Sequence, residues 1–380
     1  MTPRDVRYGD GAILQVPAVV ADLRGRSVLL VCGRSSFEAS GASRMLPDLE
    51  RVAKVRRWSD FAPNTDAVDL LRGLTIVEEF GPDVIVGVGG GSAMDMAKLL
   101  CAYQNITDAG KLHDSIRAGD RITSREPHLV LAPTTSGTGS EATHFAVVYI
   151  GDDKFSIGGP VLRPDVAILD PALTLSGTPY QRATSGIDAV SQAIESLWAV
   201  GATDESRRHA RAALRMLMPA IEAFVNAPTN DSARAMAIGS HLAGRAIDIS
   251  KTTVAHALSY AITKEYGVSH GHAVALTLPA FIEHHATAKP TDLQSSVDPA
   301  HHAAALRSVF QALDAPDGAQ ASQNFVDLGR RLGLPMQLTR VGISTEPQIE
   351  ALASRVNVER LGNNPMRFTK EGLVQLLSTS

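Results

Sequence analysis

The sequence predicts an α/β half built on a largely parallel sheet, followed by an all-helical half. Three observations carry this. Short apolar runs alternate with helical-period segments through roughly the first 170 residues. From Asp83 onward the chain reads DVIVGVGGGSAMDMAKLL, a strand, a glycine turn and a helix start in succession. After Asp170-Pro171 five long segments carry helical periodicity and no convincing strand appears.

In chain order, Val16–Leu23 reads as a helix and Ser27–Val31 as a strand. The following CGRSSFEASGA is a turn and helix start at a strand's carboxyl end, where open α/β sheets place ligands. Val52–Trp58 is a more polar, edge-like strand, and Asp66–Phe80 is a helix with Val68, Leu71, Leu74 and Val77 on one face. Val84–Val88 is a buried parallel strand. Gly89, Gly90 and Gly91 break it, and Ser92 opens an amphipathic run that carries Asp95 and Lys98. Backbone without side chains lets a phosphate approach, and the N–H groups of a first helical turn point at it. The same glycines also suit an ordinary tight βα turn, so three glycines alone leave both readings open. His128–Ala132 is a strand ending in PTTSGTGSEAT. Ala146–Ile150 and Val166–Leu169 are further strands, with Lys154 in a polar, glycine-bounded hairpin between them.

In the second half, Tyr180–Val200, Glu205–Val225, Ser232–Ile247, Val254–Tyr266 and Ala273–His284 read as helices. Breaks such as NAPTND separate them, and residues 286–303 read as a surface loop. We place the two domains at 1–174 and 175–380.

Composition narrows the function classes. At 380 residues and 44% hydrophobic, each half is large enough for its own core. A net charge of −4 argues against a nucleic-acid partner. Cys32 and Cys101 make no disulfide framework and fit a reduced cytoplasmic compartment. The start MTPRDVRYGDGAI has no apolar signal core, and no run reaches the roughly 18 apolar residues of a membrane span. No internal repeat is present.

Four polar residues in the helical half stand out. Asp188 and Gln192 lie four apart in GIDAVSQAIESLW and share a helix face with apolar neighbours. His256 follows in AHALSYAIT and His270 in YGVSHGHAVAL, with Gly267 ending the helix between them. Either histidine alone is most simply a hydrogen-bonded core residue. Together, an acid, an amide and two imidazoles on separate helices can converge on a divalent cation, Fe(II) or Zn(II). His272, His284, His285, His301 and His302 have no comparable context and read as surface or core.

These motifs carry a resemblance. GGGSAMDMAK, PTTSGTGSEAT, the Asp170-Pro171 pair, GIDAVSQAIES and the His256…His270 pair follow the order and spacing of the metal-dependent, iron-containing alcohol dehydrogenases. The likeness runs from YGDGAI to LGLP and NNP, nearly the whole chain. It implies the dehydroquinate-synthase-like architecture: a Rossmann-like dinucleotide-binding domain, a helical domain and a cleft between them. It further implies a homodimer or larger homo-oligomer. Gly90, Gly91, Ser92 and Asp95 match the family's pyrophosphate turn, Thr134, Thr135 and Thr138 its cofactor-lining loop, and Lys154 a lysine near the nicotinamide ribose. Asp188, His256 and His270 match three metal ligands. Gln192 departs from the pattern, standing where most members have a histidine; an amide oxygen is a weaker donor. Tyr260 stands where many members have a second histidine, so it joins solvent and a ribose hydroxyl as a proton source. The resemblance leaves three readings: an NAD(P)-dependent dehydrogenase or aldehyde reductase, a sister enzyme on the same scaffold, or a metal-free nucleotide-binding protein.

Two finer expectations follow from the likeness. Many NAD-using members place an aspartate after the first strand. Here Gly33 occupies that place, with Arg34, Ser35 and Ser36 following, which favours NADPH over NADH. Lys251, Thr252 and Thr253, after Ser250 and just ahead of the helix that carries His256, make an anion site at that helix start. The ISKTT–HALSY stretch and the DAVSQAIES helix are similar to the phosphonoacetaldehyde reductase branch. A small anionic aldehyde is therefore the expected substrate, with a carboxylated, sugar-derived or neutral one as the alternative.

Overall fold

In the computed structural model, which describes residues 5–119, 122–356 and 358–378, the chain divides into two compact units, Met1–Gly177 and Thr178–Ser380. The first is built on strands β1 (Asp5–Tyr8), β2 (Ser27–Cys32), β3 (Lys54–Trp58), β4 (Val84–Gly89), β5 (His128–Pro133), β6 (Phe145–Ile150), β7 (Asp153–Gly158) and β8 (Val166–Leu169). Six of them form one parallel sheet in the order β1-β8-β5-β4-β2-β3, and β6 and β7 pair as a separate antiparallel hairpin. The central strands β2 and β4 are almost wholly buried because apolar side chains point to both faces. Leu29, Val31, Ile85, Leu129 and Leu131 pack with α4 (Ala67–Phe80), α5 (Gly91–Ala102) and α6 (Ala109–Ala118). The alternate residues Val28, Leu30, Val86, Val88 and Val130 pack on the other face with α1 (Val16–Asp22), α2 (Ser36–Ala39) and α3 (Leu46–Val52).

The register matters for function. Cys32 lies beside Val88, Val31 beside Trp58, and Gly89 beside Pro133. The loops at Gly33, Ser59, Gly90 and Thr134 therefore leave the sheet side by side at one carboxyl edge. As the polar pattern of residues 52–58 suggests, β3 is a sheet edge. The other edge, β1, escapes the sequence reading because DVRY is short and mostly exposed.

The second unit is helical: α7 (Pro179–Trp198), α8 (Asp204–Asn226), α9 (Asn230–Ser250), α10 (Val254–Tyr266), α11 (His270–Thr287), α12 (Pro299–Ala312), α13 (Gly318–Arg331), α14 (Glu346–Ser354), α15 (Val358–Gly362) and α16 (Lys370–Ser378). Reciprocal caps start four of them, Thr178 with Gln181, Thr203 with Ser206, Thr229 with Ser232 and Thr345 with Gln348. Gly267, at φ 67°, ends α10 as expected. The loop expected at 286–303 is shorter than the sequence suggests. α12 begins inside it, with Asp298 as cap and Pro299 in the first turn, a proline position that starts a helix. No helix among the described residues is long and apolar enough to cross a membrane.

Candidate active site

In the first unit the glycine turn and the threonine loop meet. Gly90 is the N-cap of α5 and brings no side chain to the helix start. Thr134 N–H donates to Gly89 O at 2.9 Å. A Cβ on Gly91 would come within 2.8 Å of Thr138 Cγ2, and one on Gly90 within 3.5 Å of Thr135, so the two loops approach as closely as glycine permits. Ser92 Oγ accepts from Asn64 N at 3.0 Å, which ties the β3–α4 loop to the same turn.

Asp95 takes a different part from the phosphate contact expected of it. Its carboxylate accepts from Ser140 Oγ at 2.6 Å and Val147 N at 2.9 Å, and burial raises its pKa against the pull of Lys98. Asp95 thus fastens the threonine loop and β6 to α5. Lys154 stands opposite Tyr149 in the β6–β7 hairpin, its ammonium 5.9 Å from that ring, and its charge acts on Asp95. At the β2 end, Ser36 Oγ fills the space beside Gly33, 2.1 Å from where a Cβ would stand. Ser35 precedes α2 without a capping bond. Arg34 donates to Ser59 O at 3.2 Å and pairs with Asp60, which also accepts from Arg72 at 3.3 Å. Asp60 is an acid at this edge that sequence reasoning did not weigh.

In the second unit Asp188, His256 and His270 each offer a ligand atom, all within 4.8 Å of one another. The fold brings them together through α11, which packs against both α7 and α10. Gly271 makes this possible: a Cβ there would lie 2.0 Å from Thr184 O and 2.6 Å from Asp188 Cβ. His256 Nε2 is 3.4 Å and His270 Nε2 4.0 Å from Asp188 Oδ1. Ligand atoms about 2.1 Å from one tetrahedral ion stand about 3.4 Å apart, so the spacing suits a cation. Gln192 Nε2 donates to Asp188 Oδ2 at 3.0 Å, which directs the amide oxygen elsewhere. That oxygen and His256 Nε2 are buried with no hydrogen-bond partner, a costly arrangement that a bound cation relieves.

The tautomers follow from the neighbours. Ser259 Oγ donates to His256 O at 2.7 Å and so accepts from His270 Nδ1 at 3.2 Å. Glu195, fully buried, bonds His256 Nδ1. Burial disfavours an imidazolium there, but Glu195 and Asp188 outweigh it and hold the His256 pKa up at about 9. Burial likewise works against the Glu195 charge, yet His256 and Thr253 keep that carboxyl below its usual range. Both Nε2 atoms face Asp188, and two carboxylates around one imidazole leave a negative balance that a dication offsets. Tyr260 lies against His270 with ring centroids 6.1 Å apart.

Sequence reasoning missed Glu195, although it follows Asp188 by seven and Gln192 by three on one helix face. Its position changes the reading of the anion cluster. The α10 start is already occupied: Thr253 N (3.1 Å) and Ala255 N (2.9 Å) donate to the Glu195 carboxylate. The Thr253 hydroxyl donates to Glu195 at 2.7 Å and accepts from Trp198 Nε1 at 3.1 Å. Ser250 Oγ contacts Ser196 Oγ at 2.7 Å. Ser250, Thr253 and the helix terminus therefore serve the protein rather than a substrate, and Thr252 is buried. Lys251 is different. It holds φ 60° and ψ 176°, a conformation nearly confined to glycine, while Asn363 Nδ2 grips the carbonyls on either side, Ser250 O at 2.8 Å and Thr252 O at 2.9 Å.

Comparison with known proteins agrees with both halves of this description. The model for iron-containing alcohol dehydrogenase matches residues 3–171, and the model for the C-terminal part of the Fe-containing alcohol dehydrogenase family matches 182–380. A phosphonoacetaldehyde reductase of Streptomyces viridochromogenes is 31% identical over 308 residues, 78% of this chain and 75% of that protein. A long-chain-alcohol dehydrogenase of Geobacillus thermodenitrificans is 32% identical over 275 residues, 71% of this chain and 69% of that one. Sulfoacetaldehyde reductase from Bifidobacterium kashiwanohense, solved with NAD+, superposes with a TM-score of 0.88 at 26% identity, covering 100% of this chain and 97% of its own. The chain belongs to the iron-containing alcohol dehydrogenase family, oxidoreductases that use a nicotinamide cofactor and a divalent metal.

Proposed function

We propose that the protein reduces a small aldehyde bearing an anionic group, phosphonoacetaldehyde before others, with NADPH as reductant. In this reading residues 1–174 bind the dinucleotide, and residues 175–380 bind substrate and one divalent metal, Fe(II) or Zn(II), through Asp188, Gln192, His256 and His270. The observation that carries the reading is the convergence of Asp188, His256 and His270, with Gln192 Oε1 and His256 Nε2 buried and unbonded. When bound, the nicotinamide supplies hydride and the metal Lewis acidity at a carbonyl oxygen. The chain's own share is placement. The start of α5 receives the pyrophosphate, with Gly90, Gly91, Ser92, Thr134, Thr135 and Thr138 around it. Tyr260, beside His270, joins solvent and a ribose hydroxyl as a source of the proton.

Lys251 supplies the charge that recognises an anionic substrate. Its support is the glycine-like backbone held by Asn363, strain of the kind kept where a side chain must be aimed. Two similar proteins, named for phosphonoacetaldehyde and sulfoacetaldehyde, point to the same substrate class. In Lys251→Ala, kcat/KM for phosphonoacetaldehyde should fall by about 1.5–3 kcal/mol of transition-state binding while propanal is little affected. Equal losses on both, or a wild-type preference for propanal, would remove the reason for naming an anionic substrate.

The NADPH preference rests on Gly33, which puts no carboxylate beside a ribose 2′-phosphate, and on Arg34 and Arg72 at the same edge. Asp60, shared by both arginines, favours NADH instead and defines the competing outcome. We expect wild type to show the higher kcat/KM with NADPH, and Gly33→Asp to shift the ratio toward NADH by tenfold or more, about 1.4 kcal/mol. The substituted Cβ displaces the Ser36 hydroxyl, which can rotate aside. A wild type that prefers NADH, with a ratio unmoved in Gly33→Asp, refutes this assignment.

A further inference from the structure

We infer that Glu195 is a positioning residue for the metal: it fixes the His256 imidazole with Nδ1 protonated and Nε2 presented to the ion. The inference rests on the reading of Asp188, Gln192, His256 and His270 as metal donors.

Glu195 makes four hydrogen bonds, one for each lone-pair direction of a carboxylate. One oxygen accepts from Thr253 Oγ1 at 2.7 Å and Ala255 N at 2.9 Å. The other accepts from Thr253 N at 3.1 Å and from His256 Nδ1. Every partner is a donor, so the group that fits is a carboxylate rather than an amide or a carboxylic acid. No capping side chain of its own precedes α10; the Glu195 carboxylate, reaching from α7, caps it. The helix that carries His256 and the ring of His256 are thereby set by one side chain. Trp198 backs the arrangement by donating to Thr253 Oγ1 at 3.1 Å, and Asn363 holds the turn just before it.

A role limited to folding would need only the helix cap. The bond to Nδ1 goes further, because it decides which ring nitrogen carries the proton and so which one keeps a lone pair for a ligand. Outer partners of this kind change metal affinity when removed, on the order of 10- to 100-fold. His270 Nδ1 meets the neutral Ser259 hydroxyl, whereas His256 Nδ1 meets a carboxylate.

The test uses full-length protein and Zn(II) in competition with a chromophoric chelator. Glu195→Gln is expected to raise the Zn(II) dissociation constant about 10- to 100-fold, with NADPH affinity changed less than twofold as the control for a folded protein. Glu195→Asp, which keeps the charge, should recover part of the loss. A folded Glu195→Gln that binds Zn(II) as tightly as wild type overturns the inference. A second measurement needs no variant. Long-range 1H–15N spectra of Zn(II)-loaded wild type should show His256 coordinated through Nε2 with a proton on Nδ1; coordination through Nδ1 overturns it. If His256→Ala leaves Zn(II) binding intact, the metal-site reading itself fails, an outcome distinct from failure of Glu195 alone.

Discussion

Replacing His256 or His270 with alanine should remove the bound divalent metal and reduce turnover to background. The proposed donors lie on three helices, Asp188 and Gln192 on α7, His256 on α10 and His270 on α11. Losing one imidazole leaves at most one nitrogen donor beside a carboxylate and a neutral amide, a poor set for Fe(II) or Zn(II). Polarisation of the carbonyl is worth several kcal/mol, so its loss costs on the order of 10³-fold or more in rate. Metal content of purified protein and loss of NADPH absorbance read the two effects separately. Stripping wild type with a chelator should reproduce the defect, and added metal should restore wild type but not the variants. Gln192→Ala should lose less affinity than either histidine variant, since an amide oxygen is the weakest donor of the four. Full activity in metal-free protein would defeat the metal reading.

Some parts of this molecule were legible in the sequence, for physical reasons that differ. The β4–α5 turn was plain because a β-branched run, three glycines and an amphipathic segment each restrict the backbone strongly. Asp188 and Gln192 could be placed on one face by spacing alone. What spacing does not reveal is who bonds to whom. Thr253 and Ser250 look like free hydroxyls in the sequence, yet one serves Glu195 and Trp198 and the other Ser196. Arg34 looks like a phosphate ligand, and only the fold brings Asp60 beside it, from the loop after the neighbouring strand. Glu195 was readable in principle, a second acid on the face that carries Asp188. Its partner, the α10 start, lies nearly 60 residues along the chain and needed the structure. Gly271 is similar: as a residue within HGH it suggests nothing, and its necessity comes from the closeness of Thr184 O.

Lys98→Met should be the most damaging substitution in the first unit. Lys98 is fully buried in α5, and its ammonium donates to Ser140 O at 2.5 Å and to Thr143 O, Thr143 Oγ1 and Phe145 O at 2.9 Å each. These acceptors belong to the end of the threonine loop and the start of β6, more than 40 residues along the chain. Asp95, one turn earlier on the same helix, grips that segment through Ser140 Oγ and Val147 N. Methionine fills the aliphatic volume of lysine but donates nothing. Three backbone carbonyls then lose their buried donor and the Asp95 carboxylate one of the two cations that act on it; removing one partner of a buried charged network costs about 3–5 kcal/mol. Urea unfolding should show that loss as a lower midpoint with an unchanged slope. The same segment leads back to Thr134, Thr135 and Thr138 beside Gly90 and Gly91, so NADPH affinity should fall as well, while Zn(II) affinity in the second unit should not. A Lys98→Met protein with wild-type stability and wild-type NADPH affinity would show that the loop holds its place without the ammonium. Stability lost with NADPH affinity retained would confine Lys98 to folding and separate it from the cofactor site.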